Sequence, residues 1–359
     1  MTLFHRRMAP VAAACRVAAA CAIGGFAMSP MATHAASLSA FAGVVTGASG
    51  NIAGGCTTSG PPPELAFFGG AAPGLQVAGG NAACGFSGGW TNPTSTGTTA
   101  SLGNSASLPP TPFYTGNPTS PQSFGGTADS LASHGSLSAQ AHGRYSGTAA
   151  YTSDTSVAVG AATFSDTLTA AVPTSYTHLS TSGYVRYRFT IDGSMSTPGP
   201  GQPYFGGSAN TVFDIQHNDG PIYGLLNIYT RTNTLGAVTG ATAGWTLGIG
   251  SVSGSTTFDT GLFAIDLTKS WNFKAGLLAS AYGNADNDFY STAKLVGVDL
   301  FDSQGRAING FSLASASGIN YLAAAVPEPA TTALFAIGLL ALAGFKQARR
   351  APRTRSRAD

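Results

Sequence analysis

The clearest pattern along the chain is an alternation of apolar and polar residues between Tyr184 and Asp192. Every second side chain is large and apolar, and the side chains between them are charged or hydroxylated. A period of two places all the apolar side chains on one face of a strand. The segment therefore predicts an antiparallel strand that is buried on one face only. The apolar positions are Val185, Tyr187, Phe189 and Ile191.

Seven further segments have the length of strands and are bounded by turn residues. Asp219-Gly220-Pro221 and Ser303-Gln304-Gly305 supply two of these turns. Many short strands separated by turns are typical of an all-β fold, so we expect an antiparallel β-sandwich or jelly-roll-like body. The predicted strands are Ser136–Tyr145, Ser156–Thr169, Thr211–His217, Leu225–Thr230, Trp245–Gly250, Gly261–Thr268 and Ala293–Phe301.

The composition changes near residue 126. Before this point Gly, Pro, Ser and Thr dominate, and only short pieces such as Phe41–Thr46 and Leu65–Phe68 have strand composition. A turn-rich stretch then extends from Gly88 to Gly126. We therefore divide the body into a loop-rich N-terminal part, 37–126, and a β-sandwich, 127–322. The best helical candidate is Leu131–Ala141, although its Gly and Ser residues weaken helix formation.

Both ends of the chain have the pattern of targeting segments. Residues 1–36 combine a basic start, a short apolar stretch and a small-residue cleavage site, which is typical of a signal peptide. The apolar run 330–345 predicts a single transmembrane helix near the other end. The basic tail, 346–359, is expected to stay in the cytoplasm and to keep the body outside. Its stop-transfer residues are Lys346, Arg349, Arg350 and Arg353.

Composition and charge narrow the function classes. Charged residues make up only 9% of the chain, against about 25% in an average soluble domain, which argues against a coiled coil or a charged disordered chain. Residues 37–325 contain eight basic and thirteen acidic residues, so the body has a net charge of −5 within a chain of +2. The basic excess lies at the two ends, where it serves membrane topology. We therefore expect no binding of nucleic acid.

The most specific motif is Val326-Pro327-Glu328-Pro329, which the apolar run and the basic tail follow. Two prolines remove backbone N–H donors and favour an extended segment, which leaves the motif accessible to a processing enzyme. Over residues 326–350 this arrangement resembles the PEP-CTERM sorting signal of Gram-negative bacteria. The resemblance implies processing by an exosortase, an integral-membrane transpeptidase-like enzyme. It also implies a transient inner-membrane precursor with its body in the periplasm, and then a place on the cell surface or in the extracellular matrix.

Four cysteines are present, and only Cys56 and Cys84 lie outside the predicted signal peptide. An exported chain enters an oxidising compartment, in which such a pair is expected to form a disulfide. A bridge that closes a loop of this length would stabilise the fold by about 3–4 kcal/mol. We therefore predict that these two cysteines are linked.

Residues that suggest catalysis are sparse in the body. The segment Gly85-Phe86-Ser87-Gly88-Gly89 has the G-x-S-x-G form of a hydrolase nucleophile elbow, but its flanks lack the expected strand and helix. His217, Asp214 and Asp219 are consistent with a polar site at a strand end, or with an ordinary turn. These patterns favour a protein that is not an enzyme.

One candidate metal site remains. Asn284, Asp286 and Asp288 alternate along the chain, as oxygen ligands of a structural calcium ion can. The same residues are also typical of an Asn/Asp-rich turn that leads into a strand. We expect no cofactor and, apart from this calcium candidate, no metal.

Six aromatic residues are candidates for a sugar-binding surface, because aromatic rings stack on the apolar faces of sugars; the other interpretation is that they fill the core. They are Trp90, Tyr114, Tyr204, Phe205, Trp245 and Trp271. The sequence as a whole favours a non-enzymatic structural or adhesive role for an exported protein. The alternative is a carbohydrate-binding module for exopolysaccharide, and a secreted hydrolase is the third hypothesis.

Overall fold

The structure is a computed structural model. Several predicted features lie outside the residues that it describes: residues 1–35 of the signal peptide, Cys56, Cys84, the sorting motif with its apolar run, and the basic tail. The described residues are 36–45, 57–59, 63–71, 76–78, 86–91, 101–113, 122–146, 156–176, 180–198 and 206–322.

The described residues form an all-β fold with two short 3-10 helices, Pro63–Ala71 and Thr174–Tyr176. The strands are β1 (Ser37–Val45), β2 (Thr57–Ser59), β3 (Gln76–Ala78), β4 (Phe86–Thr91), β5 (Leu102–Phe113), β6 (Gln122–Ser133), β7 (Ser136–Ser146), β8 (Val157–Ala171), β9 (Ser182–Ser196), β10 (Gly207–His217), β11 (Ile222–Arg231), β12 (Ala237–Gly240), β13 (Trp245–Gly248), β14 (Ser251–Asp259), β15 (Phe263–Asp266), β16 (Trp271–Gly283), β17 (Ala285–Asp302) and β18 (Ser312–Ser315). The expectation of an all-β fold is confirmed.

Two antiparallel sheets of eight strands each face one another. The first sheet has the order β12-β11-β10-β16-β8-β1-β4, with β18 beside β8. The second has the order β13-β14-β9-β17-β7-β6-β5, with β15 beside β9. Strand β8 packs across the interface on β6 and β7, and β16 packs on β7 and β17. The architecture is thus a β-sandwich, as expected from the sequence, with eight strands in each sheet.

Strand β9 shows why the alternating pattern was informative. Val185, Tyr187, Phe189 and Ile191 are fully buried between the sheets, while Arg186 and Arg188 on the other face stay partly exposed. The seven other predicted strands also coincide with observed strands, although several are longer than predicted. Alternation identifies strands of the second sheet well because its outer face is in contact with solvent.

The first sheet differs because part of its outer face is covered. Residues Val157 to Phe164 of β8 are buried on both faces, and a second apolar cluster lies on the outer side. The predicted strand Leu65–Phe68 is wrong, since these residues belong to the 3-10 helix Pro63–Ala71. Leu65, Phe67 and Phe68 all pack onto the outer face, which the alternating side chains of a strand could not do.

One other expectation is corrected. The helical candidate Leu131–Ala141 is a hairpin between β6 and β7, in which Ser133 pairs with Ser136. Gly135 occupies the turn with a φ of 84°, a conformation that favours glycine. The division at residue 126 falls within β6, and the turn-rich stretch before it contains β5. All the described residues belong to one compact unit.

A buried carboxylate holds the last described segment against the first sheet. Asp166 on β8 is 1% exposed and accepts hydrogen bonds from the Ser317 hydroxyl, from the Ser317 backbone N–H at 3.1 Å and from the Tyr321 hydroxyl at 2.6 Å. Strand β18, which precedes these residues, pairs with the end of β8. We call this arrangement the Asp166 clamp.

Candidate functional site

A cleft of about 380 Å³ opens on the outer face of the first sheet. Strands β10, β11 and β12 form its floor, and Phe67 and Phe68 of the first 3-10 helix form one wall. Its lining is mainly apolar, and Asp214 is the only charged residue among the described residues that line it. This combination of size, apolar walls and a few polar residues with one charge is typical of a small-ligand site.

Asp214 reaches the cleft because of its register on β10. It pairs with Gly224 on β11 and with Gly276 on β16. Because both paired residues are glycines, neither has a side chain that could contact the carboxyl of Asp214. A bulge between Phe213 and Asp214 shifts the pairing with β11 at this point. An ideal Cβ on Gly224 would lie 3.5 Å from Asp214 Oδ1, which places this carboxyl oxygen directly beside the glycine.

The carboxyl of Asp214 is buried without compensation. The residue is only 6% exposed, and no hydrogen bond or ion pair reaches its side chain from any residue that the structure describes. Burial raises the pKa of Asp214 to about 7, because a low-dielectric environment disfavours the charged form. Buried carboxylates are usually paired, so this one is an exception that calls for an explanation.

A lysine lies on the same outer face but does not compensate Asp214. Lys274 on β16 pairs with Gln216 and places its ammonium 4.6 Å from the centroid of the Phe67 ring. Burial lowers the pKa of Lys274. The Phe67 ring lies over Gly276, where an ideal Cβ would be only 2.5 Å from the nearest ring carbon. Gly276 therefore provides the space in which this aromatic ring and the lysine pack.

The predicted polar site of His217, Asp214 and Asp219 is not assembled. His217 points between the two sheets, whereas Asp214, three residues earlier, lies on the opposite face of β10. The Tyr187 hydroxyl lies 3.2 Å from His217 Nδ1, and Trp271 Nε1 donates to the same hydroxyl at 2.9 Å. Burial lowers the pKa of His217 to about 4, so the imidazole is neutral at physiological pH. Asp219 lies in the following turn, where it accepts a hydrogen bond from Asn272.

The three candidate calcium ligands each have another partner. The Asn284 side chain bonds both the N–H and the C=O of Tyr145, and Asp286 lies 2.9 Å from His142 Nδ1 and 2.6 Å from Arg144. Asp288 accepts a hydrogen bond from the Tyr290 backbone N–H. Hydrogen bonding, above all with His142, lowers the pKa of Asp286. Across the described ranges, no group of three or more His, Cys, Asp or Glu residues could hold a metal ion.

The aromatic set does not form one surface in the described part of the chain. Trp271 is 3% exposed and fills the core, and Trp245 is half-buried against Phe289. Trp90 lies on β4, where its backbone pairs with Phe41. The other three members, Tyr114, Tyr204 and Phe205, lie outside the described residues.

The G-x-S-x-G match lacks the geometry of a nucleophile elbow. Ser87 lies within β4 and pairs with Val44, so it is part of a strand rather than of a sharp turn after one. The described strand continues to Thr91. This arrangement does not support the hydrolase hypothesis.

The cleft was not predicted from the residue pattern, although the sequence contains a signal for it. Asp214 interrupts the apolar run of β10, and Lys274 interrupts that of β16. A charged residue within a mostly buried strand indicates an unusual environment. The wall formed by Phe67 and Phe68 was hidden because Leu65–Phe68 was assigned to a strand.

The comparisons with known proteins decide the role of the C-terminus. A model of the PEP-CTERM protein-sorting motif matches residues 325–350. The chain carries a PEP-CTERM sorting motif. No curated protein and no solved structure matches the chain. Among the helices that the structure describes, none is long and apolar enough to cross a bilayer.

The PEP-CTERM motif supports export of this chain and implies processing by an exosortase. The matched range includes Val326-Pro327-Glu328-Pro329, the apolar run and the first basic residues of the tail. It therefore coincides with the segment that the sequence pattern identified, and it leaves the sandwich as the part whose role is to be explained.

Proposed function

We propose that the exported sandwich is a non-enzymatic structural or adhesive component of the cell surface or extracellular matrix, delivered there through its PEP-CTERM motif. The observation that carries this proposal is the sorting motif directly after a large β-sandwich. After Leu322, the last described residue, only two residues precede the matched range. The sandwich is therefore the cargo that the motif delivers.

The body has properties that suit a structural role outside the cell. Hydrophobic residues of both sheets form one extended core, which offers the stability that an exposed protein needs. A buried hydrogen bond of 2.8 Å from Thr211 to Asn287 joins facing strands of the two sheets. The low charge and high Gly, Ser and Thr content leave a surface that can associate without strong electrostatic repulsion.

Replacement of Glu328 by Ala tests the sorting step. The substitution removes the only charge of the four-residue motif and leaves the apolar run and the basic tail intact. We expect the Glu328→Ala precursor to insert in the inner membrane and to accumulate there, while the wild-type body reaches the surface. The measurement is a fractionation blot with one tag on the body and one on the tail, in hosts with and without the exosortase.

Glu64→Ala is the matched control, because it removes a glutamate from the body and leaves the motif unchanged. It should be sorted like the wild-type chain. If both tags of the wild-type chain remain on one full-length band in the host that has the exosortase, the proposed processing is wrong and the C-terminus is a plain membrane anchor.

Exopolysaccharide binding is the alternative role for the same exported body. Within the candidate aromatic set, Trp245 is partly exposed and donates its Nε1 hydrogen to the Ala241 carbonyl. A glycan array probed with the full chain separates the two roles. Saturable binding that is lost in Trp245→Ala would favour the carbohydrate-binding module over a purely structural component.

A further inference from the structure

The cleft on the first sheet has a feature that a structural role does not explain. Asp214 is more than nine-tenths buried, lines the cleft, and has no partner among the residues that the structure describes. A buried carboxylate without a partner destabilises the fold, and a ligand that satisfies it can recover that free energy.

We propose that this cleft binds a primary ammonium group on an aliphatic stem, such as the end of a lysine side chain, with Asp214 as its counter-ion. The inference is independent of the structural role proposed above, because it concerns one cleft rather than the delivery of the protein.

Charge complementarity favours a cation over a neutral ligand. Of the described residues that line the cleft, only Asp214 is charged, and no ion pair within the described ranges involves it. An ammonium group offers three N–H donors and a full positive charge, which together compensate the desolvation of the carboxylate. A neutral hydroxyl would supply one donor and no charge.

The apolar walls favour an aliphatic stem. Phe68, Val212 and Ile222 line the cleft beside Asp214. These apolar side chains offer few hydrogen-bonding partners to the hydroxyl groups of a sugar ring. The methylene groups of an aliphatic stem, in contrast, gain free energy when they are buried against these side chains. Asn227 and Thr239, which pair across β11 and β12, are exposed and also line the cleft. They provide polar groups for the amides that flank a lysine side chain in a peptide.

The chain's own nearby cation does not fill this role. Lys274 lies on the same outer face, yet its ammonium contacts the Phe67 ring and makes no ion pair with Asp214. The cation–π contact holds the lysine at a different part of the face. Among the described residues, no cation therefore occupies the position beside Asp214.

Calorimetric titration of the full chain in a neutral detergent tests the proposal. The probe is the Nα-acetyl methylamide of lysine, and the matched neutral probe is the same derivative of norleucine, which has the stem without the ammonium. We expect the lysine probe to bind saturably and the norleucine probe to bind at least about tenfold more weakly, because only the first compensates the carboxylate.

Two variants locate the site. Asp214→Asn keeps the shape and removes the charge, so it should weaken binding of the lysine probe at least about tenfold. Gly224→Ala adds a methyl group 3.5 Å from Asp214 Oδ1 and should also weaken binding, without removing the carboxyl. Asp288→Asn, on the second sheet, is the control and should bind like the wild-type chain.

Three outcomes would overturn the proposal. They are no saturable binding of the lysine probe, equal binding of the two probes, and unchanged affinity in Asp214→Asn. Glucosamine distinguishes the source of the ammonium: if it binds and the lysine probe does not, the aliphatic stem is wrong and the cleft takes an amino sugar instead.

Discussion

The outer faces of the two sheets use the same kinds of charged residue in opposite ways. On the second sheet, Arg186 and Arg188 of β9 form ion pairs with Asp299 of β17 and Asp259 of β14, with the shortest N–O distance in each pair 2.7 Å. On the first sheet, Asp214 is buried and has no such partner among the described residues.

The difference comes from what covers each face. The four residues of the ion-pair group are 30–40% exposed at their side chains, so water shares the cost of their charges. The 3-10 helix with Phe67 and Phe68 covers part of the outer face of the first sheet, where Asp214 is only 6% exposed. A charged side chain therefore costs little free energy on the outer face of the second sheet and much more at Asp214 on the outer face of the first sheet.

The largest expected effect comes from removing the buried charge. The native pKa of Asp214, about 7, lies above the ordinary value of 3.8, so the native state binds its proton more tightly than the unfolded chain does. The tighter binding of this proton stabilises the native state. The stabilisation is fully present below the pKa that Asp214 has in the unfolded chain, and it is lost as the pH rises through the pKa that Asp214 has in the native state.

We therefore expect Asp214→Asn to gain stability over the wild-type chain as the pH rises, by about 3 kcal/mol between pH 5 and pH 8. Urea unfolding of both full chains at these two pH values measures the gain. Because both chains contain His217, the pH dependence of stability that this histidine causes cancels in the comparison. A difference that does not change with pH would show that Asp214 is solvated, and the contrast between the faces would then be wrong.

Replacement of a glycine by alanine should also affect stability differently on the outer faces of the two sheets. Gly276→Ala places a Cβ 2.5 Å from the Phe67 ring and 2.9 Å from that of Phe68, so these packed rings must move. We expect a loss of about 1–3 kcal/mol in the free energy of unfolding. Gly297→Ala, on the outer face of the second sheet, is the matched control, because its Cβ would meet Arg188 at an ordinary 3.7 Å.

The control variant Gly297→Ala should change the free energy of unfolding by less than about 0.5 kcal/mol. Urea unfolding of the two variants provides the comparison. Equal losses in both would mean that the 3-10 helix does not pack tightly on the first sheet.

The smallest effect is expected from the ion pairs themselves. Asp299→Asn removes the carboxylate that lies 2.7 Å from Arg186 and 3.4 Å from Arg188. Because these groups are partly exposed, the loss should be about 0.5–1 kcal/mol at low salt and smaller at about 1 M salt. Unfolding midpoints at the two salt concentrations test this. A loss that salt leaves unchanged would indicate that the pair is shielded from solvent, like Asp214.

The same contrast explains which parts of the fold the sequence could predict. Strand β9 was predicted because water on one side imposes alternation, and the alternation is visible in the residue types. Leu65–Phe68 was misassigned because a short apolar run is compatible with a strand or with a helix that covers a sheet, and only tertiary packing distinguishes them.

Candidate sites were predictable only where one short segment carries the chemistry. The PEP-CTERM motif is contiguous, so the sequence alone was enough to identify its residues. Asp214, Gly224 and Phe67 meet through strand register and a distant helix, and no local pattern records that meeting. His217 and Asp214 are close in sequence but lie on opposite faces of β10, which shows how proximity along a strand can mislead.

The Asp166 clamp sets the length of the spacer between the folded body and the enzyme that processes it. Tyr321 is held on β8, and Pro327 of the sorting motif follows six residues later. Six residues span at most about 22 Å even when fully extended. The folded body therefore ends close to the motif, which leaves little space for a bulky domain between the sandwich and an enzyme that processes the motif. Opening of the clamp and of β18 would free about ten more residues and more than double this reach, so the clamp limits the length of chain between the folded body and the motif.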